Sequence, residues 1–215
     1  MTSIESVTLE VPDPPAAKVF LSAAFDLDGS RIGVRPAAGE TSGFRGFSLS
    51  LVVAQPANAD ALFGAALAAG AEPVKPVRKS LWGYGGVLRA PDGAIWKVAT
   101  SRRKNAAPAS REIEQIVLLL GVSDVLASKR FYTDQGLEVG RSFGRKYVEF
   151  AGSPSAVKLA LYARRALAKD VGVAPEGSGS HRIALVGGGE PFTDPDGFAW
   201  EPAQARAGER ATVRV

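Results

Sequence analysis

The chain of 215 residues carries one histidine and no cysteine. Disulfides, thiolate metal ligands and a cysteine nucleophile are therefore excluded. Any Ser-His-Asp relay would have to run through His181 alone, and no Gly-x-Ser-x-Gly elbow is present to expose a serine. Gly187-Gly188-Gly189 is not followed by Lys-Ser or Lys-Thr, so it is not a phosphate loop. Lys146-Tyr147-Val148-Glu149-Phe150 has the aromatic alternation of an RNA-binding strand but lacks its Gly-Phe pattern, and reads better as an ordinary sheet strand. The formal net charge of +4 is spread along the chain. Its one tight run, Arg102-Arg103-Lys104, reads as solvated surface rather than a phosphate-binding stripe, so no nucleic-acid partner is expected.

What must position these groups is legible in the periodicity. Hydrophobic residues make up 46% of the chain and charged residues 22%, an ordinary globular balance. Val7, Leu9 and Val11 alternate with Thr8 and Glu10, as in a half-buried strand. Asp13 and two prolines then open a helix running through Phe25. A strand is expected around Arg31 to Arg35 and another from Phe47 to Val53. Ala59 to Ala69 reads as a helix stopped by Gly70. Trp82–Leu88 and Ala94–Ala99 read as strands joined by a Pro91-Asp92-Gly93 turn. Further on, Glu114–Val122 is a strand and Val125–Asp134 a helix. Lys146–Phe150, Val157–Tyr162, His181–Val186 and Phe198–Glu201 are strands. Ala163 to Ser180 is ambiguous: its first part suits a helix, and Gly172 to Ser180 a loop. The longest dense apolar run, Ile116–Leu120, is far short of the ~20 residues of a membrane helix. Met1 to Glu10 lacks the basic start and apolar stretch of a secretion signal, so a cytoplasmic location is expected.

A repeat organises these elements. Ala90-Pro91-Asp92-Gly93-Ala94-Ile95-Trp96-Lys97 matches Asp194-Pro195-Asp196-Gly197-Phe198-Ala199-Trp200-Glu201. Ile4-Glu5 through Asp13, then Ala17-Lys18 and Phe20, matches Ile113-Glu114 through Asp124, then Ser128-Lys129 and Phe131. The expected organisation is a first module over 1–100, a linker over 101–111, a second and truncated module over 112–205, and a tail over 206–215. The complete halves span about 44–100 and 112–165. They either pair with each other or each module closes on itself.

Strand, helix and several strands, repeated, resembles the βαβββ unit of the vicinal oxygen chelate superfamily (glyoxalase, bleomycin resistance protein, dioxygenase). Val122-Ser123-Asp124 with Phe131-Tyr132, Asp194-Pro-Asp-Gly197 with Trp200-Glu201, and Trp82-Gly83-Tyr84-Gly85-Gly86 carry the resemblance over nearly the whole chain. It implies an α+β fold of tandem βαβββ modules whose mixed sheets curve into bowls with helices outside. It also implies a small organic ligand inside, and in many members a divalent metal held by His, Gln or Glu from first strands and a Glu near the end of a half. In the first module the corresponding positions hold Ser6, Ser48 or Phe47, and Lys97, which do not suit a divalent ion. In the second they hold Gln115 (or Val117), His181 and Glu201, a candidate set for Zn, Ni, Mn or Fe.

Three functions follow from the resemblance. The first is a binding protein with a degenerate or absent metal site, its bowl lined by Trp82, Tyr84, Trp96, Phe143, Tyr147 and Tyr162. The second is a metal-dependent lyase, isomerase or dioxygenase-like enzyme using Gln115, His181 and Glu201. The third is a metal-independent enzyme using Lys97 or Glu201 as acid or base. A small organic molecule is the expected partner, and monomer and homodimer both remain open.

Overall fold

The computed structural model describes residues 4–81, 83–152 and 157–203. In chain order the elements are β1 (Ile4–Val11), α1 (Pro14–Phe25), β2 (Ile32–Pro36), β3 (Thr41–Gly43), β4 (Phe47–Val52), α2 (Pro56–Ala68), β5 (Glu72–Ser80), β6 (Gly83–Arg89), β7 (Ile95–Thr100), β8 (Gln115–Val122), α3 (Val125–Asp134), β9 (Val139–Ser142), β10 (Tyr147–Phe150), β11 (Val157–Ala163), α4 (Arg164–Val171), β12 (Gly177–Gly179), β13 (Ile183–Gly187), β14 (Phe192–Thr193) and β15 (Ala199–Pro202).

The repeated Asp turn caps a helix both times. Asp13 accepts from the Ala16 amide, and Asp124 accepts from the Leu126 and Ala127 amides. Each carboxylate thus satisfies amides that a helix start leaves open. The strand that precedes each helix sends alternate residues into one core. Val7, Leu9 and Val11 do so from β1, and Ile116, Leu118 and Leu120 from β8.

Strand pairing joins the β4–β7 segment to the β8–β11 segment. The large curved sheet runs β5-β6-β7-β4-β8-β11-β10-β9, with β4 and β8 antiparallel at its centre. The small sheet runs β14-β15-β13-β1-β2 and brings the two ends of the described chain together. A short β3–β12 ribbon lies apart from both. Helices α1, α2 and α3 supply Phe25, Leu62 and Tyr132 to the main core, which also takes Leu49, Trp96 and Leu118 from the large sheet. We call this the outer face.

Three departures from the sequence expectation have simple causes. β5 and β9 escape periodicity because both are edge strands with few buried residues. Pro73 and Pro76 within β5 are tolerated at such an edge. Helix α2 starts at Pro56 rather than Ala59, with proline in its first turn. His181 precedes its strand rather than lying in it, since β13 opens at Ile183 after Arg182 takes a left-handed φ of 55°. The tail over 206–215 lies outside the described residues.

Candidate functional site

The alternation that feeds the outer core leaves the other residues of each strand on an inner face. Register sets Ser50 of β4 beside Lys97 of β7 and Val117 of β8, so these three stand abreast at the centre of the large sheet. Helix α4 lies across this face. Its Leu167, Ala168 and Val171 are fully buried in a second core with Val87, Leu119 and Ala160.

Two lysines hold the end of the helix. Lys75 Nζ donates to the carbonyl oxygens of Lys169 (2.8 Å) and Asp170 (2.5 Å). That places a cation at the negative end of the helix dipole. Lys97 Nζ pairs with Asp170 Oδ2 at 2.7 Å. Beside them the helix leaves a cavity of about 400 Å³ lined by Ser50, Lys75, Arg78, Tyr84, Lys97 and Asp170, among others.

These side chains decide what the face can hold. A divalent ion needs oxygen or nitrogen lone pairs converging on one point. Ser50, Lys97 and Val117 offer a hydroxyl, an ammonium that repels the ion, and a hydrocarbon. The donor set does not fit a divalent metal, and no step is derived through one.

The aromatic candidates separate. Tyr84 stands at the cavity, its hydroxyl donating to Asp60 Oδ1 at 2.7 Å, which raises its phenol above the usual range. Trp96 is fully buried in the outer core, 4.8 Å from Phe25 between ring centres. Trp82 lies outside the described residues. Phe143, Tyr147 and Tyr162 form a row that does not line this cavity, with ring centres 6.0 and 5.1 Å apart. Tyr147 donates to Glu149 Oε2 at 2.7 Å, and burial, reinforced by this carboxylate, drives its phenol far up. Burial raises the Tyr162 phenol too, with Asp170 adding to the effect.

The residues considered as a metal set lie on different elements. Gln115 begins β8 in the large sheet, opposite Val52. Glu201 is in β15 of the small sheet. His181 is wedged between main-chain groups: Nδ1 is 2.6 Å from the Arg45 carbonyl oxygen, Nε2 is 3.0 Å from that of Asp196, and the ring stacks on Phe198 at 4.0 Å. Each ring nitrogen thus faces a main-chain carbonyl oxygen, and one of them donates its N–H there. Among the described residues no three His, Asp or Glu side chains gather closely enough to hold an ion.

The small sheet has an inner face of its own. A cleft of about 680 Å³ is lined there by Ser6, Thr8, Arg35, Val186 and Glu201, among others. Arg35 is held between Glu10 (2.6 Å) and Glu201 (2.8 Å), and the two carboxylates raise its guanidinium, the Glu10 hydrogen bond most. Neither Arg35 nor Asp170 was reachable from the sequence as part of a site. The faint signal for α4 is the Leu167, Ala168, Val171 spacing, one apolar stripe inside an otherwise polar segment.

The Asp-Pro-Asp-Gly motif builds structure. Asp194 accepts from the Asp196 and Phe198 amides and from the Tyr132 hydroxyl at 2.7 Å. Asp196 accepts from the Ser123 amide and from Ser128 Oγ. Burial raises the Asp194 carboxyl despite these donors. The turn thus ties β15 to α3.

No protein-family model and no curated protein matches the sequence. Solved structures match its fold. Glyoxalase I from Zea mays aligns with a TM-score of 0.60 at 13% identity, over 93% of this chain and 91% of that one. A Bacillus subtilis protein provisionally assigned as a dioxygenase aligns with a TM-score of 0.59 at 12% identity, over 94% and 84% of the two chains. The chain has the vicinal oxygen chelate fold. At these identities the likeness is one of fold, and function has to be argued from the site.

Proposed function

We propose that the chain binds a small organic molecule, through a carbonyl or acidic oxygen, in the Lys97 cavity on the inner face of the large sheet, without a metal. The observation that carries this reading is the position of Lys97. Its ammonium stands abreast of Ser50 and Val117 at the sheet centre, so a side chain supplies positive charge at the middle of the bowl. Its partner Asp170 has a side chain 38% exposed, which a ligand oxygen can displace. Arg78 and Tyr84 at the same cavity give further polar anchoring, and Val87 an apolar wall.

The test is an NMR screen of small carboxylates and ketones against isotope-labelled protein. Binders should perturb β4, β7 and the end of α4, and the perturbation should vanish in Lys97→Met. Binders that perturb only other regions, or that bind Lys97→Met equally well, overturn the proposal.

A second reading rests on the open cleft of the small sheet, where Glu201 lines the wall with Ser6 and Arg35. There Glu201 would act as acid or base once released from Arg35. Turnover that survives chelator and Lys97→Met but is lost in Glu201→Gln would favour it. The metal-dependent reading needs Gln115, His181 and Glu201 to converge. It would be supported by a stoichiometric ion lost in His181→Ala.

A further inference from the structure

A second cavity, sharing no lining residue with the Lys97 cavity, lies where the β3–β12 ribbon meets the β6–β7 turn. It has a volume of about 380 Å³. Phe44, Phe47, Ile95 and Val173 give it apolar walls, and Arg45, Arg89 and Glu176 bring charge to it.

Arg45 is the unusual member. It is only half-exposed, yet among the described residues its side chain hydrogen-bonds only from Nη2 to the Asp92 carbonyl oxygen. The Asp92 carboxylate is turned to the Ala94 amide. No ion pair among the described residues involves Arg45 or Arg89. Burial pulls the Arg45 guanidinium below its usual range, and the nearby Asp92 charge does not make up the loss. A guanidinium presents five N–H donors in a planar fork, so most of this fork has no acceptor among the described residues. The backbone makes room for it: a Cβ on Gly93 would come within 2.8 Å of Arg45 Nη2.

We propose that this cavity is a binding site for an organic monoanion, a carboxylate whose oxygens engage Arg45 as a fork and whose apolar body lies against Phe44, Ile95 and Val173. Two arginines and one glutamate leave a net wall charge of +1, which one carboxylate neutralises and a phosphate dianion overshoots. Planar two-point pairing is what arginine offers and lysine does not. The site is independent of the Lys97 reading, and either can fail alone.

The experiment uses benzoate, its neutral isostere benzamide, and inorganic phosphate as probes, with thermal unfolding and calorimetry on the full chain. Benzoate at about a hundred times its Kd should raise Tm by several degrees, because a ligand of the native state stabilises it by mass action. Benzamide should do nothing. Arg45→Gln should weaken benzoate at least tenfold, and Glu176→Gln should tighten it. Because Arg45 also holds the Asp92 carbonyl, Arg89→Gln serves as a second variant and should weaken benzoate several-fold in a folded protein. Equal effects of benzoate and benzamide, no effect of benzoate, or a response to phosphate alone would each overturn the proposal. So would benzoate binding unchanged in both arginine variants.

Discussion

The two inner faces carry the same kind of charge but differ in cover. On the large sheet Lys97 faces Asp170 at the end of α4, whose apolar stripe covers the part of the face beside the cavity. On the small sheet Arg35 lies between Glu10 and Glu201 in a cleft of about 680 Å³. In both, a side-chain cation is paired with protein carboxylate: Lys97 with Asp170, and Arg35, from the edge strand β2, with Glu10 and Glu201. What separates them is one short helix, and with it how much of each face a ligand can reach.

The comparison is broken most directly at the helix. Leu167→Ala removes a fully buried side chain and should cost about 2–5 kcal/mol in urea unfolding. Val186→Ala on the inner face of the small sheet, where the side chain is half-buried, should cost under about 1 kcal/mol. Equal costs would mean that cover does not distinguish the faces.

The next effect tests the anchoring of β15, which carries Glu201. Asp194→Asn disturbs a buried network and should cost about 1–3 kcal/mol. The pH dependence has a definite sign. The folded Asp194 carboxyl is raised above its ordinary 3.8, so its favourable contribution is present below that value and is lost as pH rises through the folded pKa. The gap between wild type and Asp194→Asn, followed by urea unfolding, should narrow over that window. A gap that widens would contradict the burial of this carboxyl.

How far the sequence reached differs between these regions. The Asp13 and Asp124 helix caps, the Pro-Asp-Gly turns and the central strands were legible because each rests on local chemistry: a cap, a turn type, a two-residue alternation. The edge strands β5 and β9 were not, because exposed strands carry little hydrophobic signal. The site was harder still. Lys97 was visible as a cation in place of a carboxylate, but Asp170 lay in the ambiguous 163–180 segment and Arg35 in a strand whose partner was unknown. Both ion pairs join residues far apart in the chain, and pairing of that kind is set by tertiary packing. Trp96 shows the converse: the family resemblance suggested a ligand wall, and strand alternation turned its side chain into the outer core.

A smaller effect sharpens the shared feature. Arg35→Met leaves Glu10 and Glu201 facing each other with no cation, at a cost of about 1 kcal/mol. Millimolar calcium or manganese should then raise the Tm of this variant by about 2 °C and leave wild type unchanged, by linkage of binding to folding. The smallest effect is at Lys97 and Asp170. Their side chains are 29% and 38% exposed, so a double-mutant cycle of Lys97→Ala and Asp170→Asn should give a coupling under about 1 kcal/mol. A coupling several times larger would mean that α4 is locked by charge rather than by its apolar stripe.

The central claim is that side-chain cations, rather than a bound metal, supply the positive charge of both inner faces. Elemental analysis of untagged protein purified without chelator tests it, followed by titration with zinc, nickel, manganese and iron under thermal unfolding. Substoichiometric metal and no shift in Tm are expected. One divalent ion per chain, with Tm falling when it is stripped, would contradict it.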